Sequence, residues 1–355
     1  MSTEAYVVAV DDDVEPVVRR APGMLQSLSQ STPARMGLII VVLMLTFGLI
    51  SPDHAFLRLS NLTTMAQNVS VVMLLAVGVT FVLAAGELDL SIGANVVLSS
   101  VVAAKVLTGV AGTPAEISAG SYPNLAIALV LGAIAGVITG ALFGLANGLL
   151  VTRLRISSFI VTLGTTGVGT GIAFVLTHGI NVAYVPRVLQ TEFGVRKLLG
   201  IIPYPMVVVL SISVVLWYLL QRTRFGLHTL AIGSSREAAI RGGIRVKGHV
   251  LRLFVLMGTL SGVAALLDLT RFATTAIGGY ETAALAAIAA VVIGGTSLFG
   301  GRASIPGSMI GSLIPVILTT GLVIIGVEAF YQLIVVGMIL IVAVYLDQRR
   351  RERLK

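Results

Sequence analysis

Two carboxylates, Glu87 and Asp89, stand one residue apart inside an otherwise apolar stretch, Ala85-Gly-Glu-Leu-Asp-Leu-Ser-Ile-Gly93. Ionisable groups amid such sequence are costly and usually functional. With Gly86 and Gly93 on either side, the stretch reads as a break between two helices that exposes backbone and carboxylates to a polar cavity. Asp89 and Ser91 have two readings: they start the following helix as caps, or they accept hydrogen bonds from a hydroxylated solute. A second polar cluster, Thr162, Thr165 and Thr166, falls one turn apart on a glycine-rich helical run. These hydroxyls line a polar path or bond back to their own helix.

The third cluster is basic. Between Arg222 and His249 the chain carries Ser234 and Ser235 as candidate caps for a short helix through Arg236, Glu237, Ala238, Ala239, Ile240 and Arg241. Glu237 lies in its positive first turn, and Gly242-Gly243 ends it before Ile244. Such an amphipathic helix anchors at anionic membrane lipid through its arginines or docks into a groove of a cytoplasmic partner. Other chemistries have little support. There is no cysteine, and His54, His178, His228 and His249 are scattered without a paired ligand spacing. None of the lysines, Lys105, Lys197, Lys247 and Lys355, sits in a Walker A context, so a P-loop nucleotide site is excluded.

The elements that must position these clusters are set by composition. Of 355 residues, 56% are hydrophobic and 11% charged, outside the usual soluble range. Crossing a hydrocarbon core of about 30 Å takes about 20 helical residues. Ten segments qualify in character: 36–52, 62–84, 90–108, 124–150, 157–177, 204–221, 249–270, 282–299, 304–327 and 330–347. The expected fold is an all-α integral membrane bundle of about ten transmembrane helices. Residues 1–35 read as a polar cytoplasmic tail, 36–347 as the transmembrane domain with a cytoplasmic loop over 222–248, and 348–355 as a basic cytoplasmic tail.

Basic residues orient the bundle. With both termini in the cytoplasm, eighteen of the 24 lysines and arginines fall inside, including Arg153, Arg155, Arg302, the Arg222–Arg252 group and the C-terminal five. Outside fall Arg58, Lys105, Arg187, Arg196, Lys197 and Arg271. That asymmetry follows the positive-inside rule. It also accounts for the net charge of +8 without nucleic-acid binding, since no basic groove or recognition helix appears. Gly132, Gly136, Gly140, Gly144 and Gly148 form a small-residue stripe, which places their helix inside the bundle.

Three motifs together resemble one family. The Gly-Ser-Ser-Arg-Glu-Ala-Ala and Arg-Gly-Gly-Ile pieces of the 222–248 loop resemble the coupling loop of ribose-type permeases of ATP-binding-cassette importers. Gly86-Glu-Leu-Asp-Leu-Ser-Ile-Gly93 and Ala286-Ala-Ile-Ala-Ala-Val-Val-Ile-Gly-Gly-Thr-Ser-Leu-Phe-Gly-Gly301 resemble two further signatures of that family. Ala286 departs from it, standing where an acidic residue is common. The resemblance implies a non-enzymatic permease subunit in a prokaryotic inner membrane, importing a sugar or polyol. It implies a second permease copy, an extracytoplasmic solute-binding protein, and a separate ATP-binding subunit that holds ATP and magnesium and engages the coupling helix; no cofactor belongs to this chain. The rival expectation is a secondary transporter, with Glu87, Asp89 or Asp268 as the proton carrier.

Topology is directly testable because the chain lacks cysteine. Single cysteines replacing Arg153 or Arg350 should react with an impermeant maleimide only from the cytoplasmic side, and those replacing Arg58 or Arg187 only from outside. Any one labelled from the opposite face contradicts the charge-based orientation.

Overall fold

The computed structural model describes residues 32–352. The expected N-terminal tail, apart from its last four residues, lies outside them. So do residues 353–355.

Chain order gives α1 (Thr32–Ile50), a 3-10 turn (Pro52–Leu57), α2 (Leu59–Ala84), α3 (Ile92–Ala111), a one-turn α4 (Pro114–Ser118), α5 (Leu125–Arg153) and α6 (Ser158–Thr177). After a π-turn (Gln190–Gly194) comes a two-residue hairpin, β1 (Lys197–Leu198) and β2 (Ile202–Pro203), antiparallel with Lys197 opposite Pro203. Then follow α7 (Tyr204–Arg222), α8 (Arg224–Ser234), α9 (Arg236–Arg241), α10 (Val246–Phe272), α11 (Ala283–Ile293), α12 (Ile305–Gly311), α13 (Leu313–Ile324) and α14 (Ala329–Glu352). Among the described residues, seven stretches are long and apolar enough to cross a membrane: α2, α3, α5, α6, α7, α10, and α12 with α13. Shorter apolar helices cover 35–50, 283–293 and 330–345.

The core centres on α2, which is buried along almost its whole length and packs against α7, α10, α11, α12 and α13. The α5 glycines meet α10 and α3. A β-carbon on Gly144 would lie 2.2 Å from the Phe254 carbonyl oxygen, and one on Gly140 2.3 Å from that of Gly258. Without a hydrophobic drive between helices in lipid, such close backbone approach supplies the dispersion contact that holds them together.

The structure corrects three expectations. α5 does not sit inside the bundle: its glycine face is buried, but Ile127, Val130, Ile134, Ile138 and Leu142 are exposed on the opposite face. The stripe marks a packed face, and lipid-facing residues are as apolar as core ones. The 282–299 segment is not one helix, because α11 stops after 11 residues at Gly294, followed by Gly295 at φ 91°. Eleven residues rise only about 16 Å, short of a hydrocarbon core. The 304–327 helix is divided at Ser312, between α12 and α13. Pro315 has no N–H to give the Gly311 carbonyl. At the C-terminus, α14 carries the basic segment as helix through Glu352.

The packed face can be separated from the open one. Gly144→Val, forced against backbone, should lower stability by about 1–3 kcal/mol or more. Gly109→Val on α3, where a β-carbon meets nothing within 4 Å, should be near neutral. Thermal unfolding in detergent reads both, and equal loss in the two variants contradicts the packing assignment.

Candidate functional site at the basic end

One end of the bundle carries α8, α9 and the Arg153–Ser157 turn, and it gathers the three sequence clusters. α2 closes with Gly86 at φ 76°, its N–H donating to the Leu83 carbonyl at 2.8 Å, while the Glu87 N–H donates to Val82 at 3.1 Å. This turn aims the Glu87 side chain, only 7% exposed, at α9, where Arg236 Nη1 donates to its Oε1 at 2.9 Å.

The next residues are fastened to α6. Ser158 Oγ accepts from the Leu88 N–H at 3.1 Å, while Thr166 Oγ1 donates to the Thr162 carbonyl of its own helix at 2.7 Å and lies 3.3 Å from the Leu90 carbonyl. Thr162 Oγ1 donates mainly to Ser158 at 2.7 Å, and Thr165 to the Thr162 carbonyl at 3.3 Å. Thr162 is fully buried, whereas Thr165 and Thr166 are half-buried. The hydroxyls therefore bond backbone, and two of the predicted clusters, 87–91 and 162–166, meet.

Asp89 turns inward. Its Oδ1 accepts from both the N–H and the Oγ of Ser91, at 2.9 and 2.6 Å, forming a turn ahead of α3. Ser91 occupies the cap position of α3 but makes no side-chain cap bond. Burial pushes the Asp89 carboxyl above the usual range, and the two Ser91 donors pull it down. Asn147 of α5 donates to Ser91 Oγ at 2.8 Å, extending this polar seam across the bundle.

The loop between α7 and α10 contains more helix than expected, since α8 precedes the short α9. Thr223 caps α8, accepting from the Phe225 N–H at 3.2 Å, and Ser235 caps α9, accepting from the Ala238 N–H at 3.3 Å. Ser234 is the last residue of α8, its Oγ donating to the Leu230 carbonyl at 2.9 Å. Ala239 is buried beneath α9, whereas Glu237, Ala238 and Arg241 are exposed. The N–H groups of Gly242 and Ile244 close the helix on Ala238 and Ala239 at 2.9 and 3.0 Å, with Gly243 at φ 82° between them.

Three backbones meet behind α9. The Gly301 N–H donates to the Ala84 carbonyl at 3.0 Å. A β-carbon on Gly233 would fall 1.9 Å from that same oxygen and 2.5 Å from the Gly301 nitrogen. Gly300 and Gly301, at φ 83° and 77°, form the turn that reaches this point after α11. Beside the junction opens a cavity of about 510 Å³ lined by Glu87, Arg155, Ser157, Ser158, Arg236 and Lys247, among others.

Sequence reasoning missed Ser158, Asn147 and Gly233 as members of the site. Asn147 had a signal, as a lone amide within the glycine stripe. Asp268 lies far from this end on α10, buried, with Oδ2 lacking a hydrogen-bond partner among the described residues. No group of metal-ligating side chains occurs among the described residues.

Comparison with known proteins supplies the relationship. The chain is 38% identical over 321 residues to the ribose import permease protein of Bacillus subtilis, covering 89% of this chain and 92% of that one. It is 35% identical over 313 residues to the D-allose transport system permease protein of Escherichia coli K12, covering 87% and 90%. Against the fructose import permease protein of Rhizobium meliloti it is 32% identical over 332 residues, covering 91% and 88%. No solved structure matches significantly. Residues 61–344 match the family described as the permease component of the branched-chain amino acid transport system, and the chain belongs to that family of membrane permeases.

Proposed function

We propose that this chain is the membrane-spanning permease subunit of an ATP-driven importer that carries a sugar or polyol inward across the cytoplasmic membrane. The observation that carries the reading is the Arg236–Glu87 ion pair, which ties an exposed surface helix to the break between two membrane helices. A force applied to α9 from outside the chain then reaches Glu87 directly, and through Leu88 and Ser158 reaches the start of α6.

In this reading the basic end faces the cytoplasm, all ten apolar helical segments lie in the membrane, and both termini are cytoplasmic. A separate subunit binds ATP and magnesium and presses on Ser234–Ile244. An extracytoplasmic binding protein delivers the solute to the opposite end. The permease itself breaks no bond; it alternates the side on which a path is open. The relatives named for ribose, D-allose and fructose import support a sugar as the solute.

A second permease copy completes the path. α6 supports this role: Gly164, Gly167 and Gly171 have open space where β-carbons would stand, and Leu163, Val168, Ile172 and Val175 are exposed around them. Glu87, Asp89, Ser91, Thr162, Thr165 and Thr166 then govern the geometry of the path wall more than they touch solute, since their polar atoms engage protein groups.

Reconstitution in vesicles checks the proposal. Uptake of a labelled sugar should require the ATP-binding subunit and ATP, and should survive an uncoupler. Uptake without that subunit which collapses on uncoupling contradicts it and points to Asp268 as a proton carrier. Within the importer, Gly243→Val should cut uptake per ATP several-fold while hydrolysis continues, because a β-branched residue is strained at φ 82°. Normal coupling in that variant removes α9 as the point of force input.

A further inference from the structure

A second cavity, of about 430 Å³, opens on the other side of the surface helices, between α8 and the first turns of α10. Its lining includes His228, Arg245, Gly248, His249 and Arg252, and contains no carboxylate. Arg245, Gly248, His249 and Arg252 follow the i, i+3, i+4, i+7 spacing of one helix face. Neither arginine forms an ion pair among the described residues, and both are exposed.

The histidine wall is fixed in place. Thr229 Oγ1 lies 2.8 Å from both the Phe225 carbonyl and His249 Nε2, and the imidazole tautomer sets which partner donates in the second contact. The His249 ring lies 4.6 Å from that of Phe225 and 5.9 Å, edge-on, from that of His228. Above this wall the backbone is uncovered, since a β-carbon on Gly243 or Gly248 would meet nothing within 4 Å. Gly248 belongs to the first turn of a 27-residue helix, where N–H groups have no intrahelical acceptor and the helix dipole is positive.

We infer that this cavity, which adjoins the Gly243–Ile244 end of the segment proposed for force input, is a binding site for the phosphate of an anionic phospholipid; the inference rests on the charge of its lining and not on the transport reading above. The charges around it are those of two arginines, with two histidines beside them and no acid in the lining. Depth selects lipid over a dissolved anion. Arg252 lies seven residues along α10 from Arg245, about 10 Å nearer the apolar run, so an anion between them sits at the headgroup–acyl boundary. Leu227, next to His228 and 65% exposed, offers an apolar surface beside the charge, as an acyl chain requires. The lipid would brace α8 against α10, and with it the surface from which α9 projects.

Native mass spectrometry of the full chain in mild detergent, titrated separately with dioleoyl phosphatidylglycerol and dioleoyl phosphatidylcholine, tests the site. The wild type should retain phosphatidylglycerol preferentially. Arg252→Gln should weaken that retention by about fivefold and the Arg245→Gln, Arg252→Gln double variant by more than about tenfold, at about one interfacial charge contribution each. Arg252→Lys should retain most of it, and Arg187→Gln at the opposite end all of it. Equal retention of the two lipids by the wild type overturns the proposal, as does wild-type retention in the double variant. Displacement of the lipid by an equal concentration of inorganic phosphate overturns the lipid assignment in favour of a free anion. Should the double variant unfold, the Arg252→Gln and Arg252→Lys pair decides by the same readout.

Discussion

The Ala84 carbonyl oxygen is the point on which the basic end of this bundle depends. It accepts the Gly301 N–H and lies against Gly233, so three turns from distant parts of the sequence touch through backbone alone. Apolar side chains cannot hold helices together selectively where lipid is equally apolar, and backbone groups cannot go unpaired there. Close packing at glycine meets both constraints. It fixes where α8 ends, hence where α9 begins, and hence that Arg236 stands within reach of Glu87.

From that contact the geometry extends in two directions. Outward, Glu87 and Arg236 couple the break after α2 to a helix whose far face is exposed. The pair joins a carboxylate that is nearly buried to a guanidinium that is half-exposed, so its strength lies between that of a surface bridge and a buried one. Inward, Leu88 is held by Ser158, and Asp89 and Ser91 by one another and Asn147. The break is thus braced on α5 and α6 without a free carboxylate at its tip. Its polar atoms are taken up by protein groups, as the proposed transmission from α9 requires.

Much of this was legible beforehand, for reasons that differ by residue. Hydropathy and glycine spacing located the helices because a membrane leaves few other ways to satisfy a backbone. Ser235, Glu237 and Gly243 marked α9 because caps act through neighbouring residues alone. The position of α5 was not legible, since its exposed isoleucines and its packed face are both apolar. α11 ended early at a glycine pair that packs Gly294 against the Gly307 backbone, a contact no local rule reveals. The Glu87–Arg236 pair spans 149 positions, and only the folded chain brings its members together. The two threonine readings stood open in the sequence because a hydroxyl's partner depends on which acceptor is nearer, and here the shortest bonds return to their own helix, at the Ser158 and Thr162 carbonyls.

In the proposed mechanism, force enters at α9 and passes through the Glu87–Arg236 contact. A charge exchange addresses it most directly: Glu87→Arg, Arg236→Glu and the combined variant, each reconstituted with its ATP-binding subunit and scored for solute moved per ATP hydrolysed. Each single variant should hydrolyse ATP with little transport, and the combined variant should regain most of the lost coupling. Full coupling in the single variants, or a combined variant that folds normally yet stays as uncoupled as either parent, would contradict it.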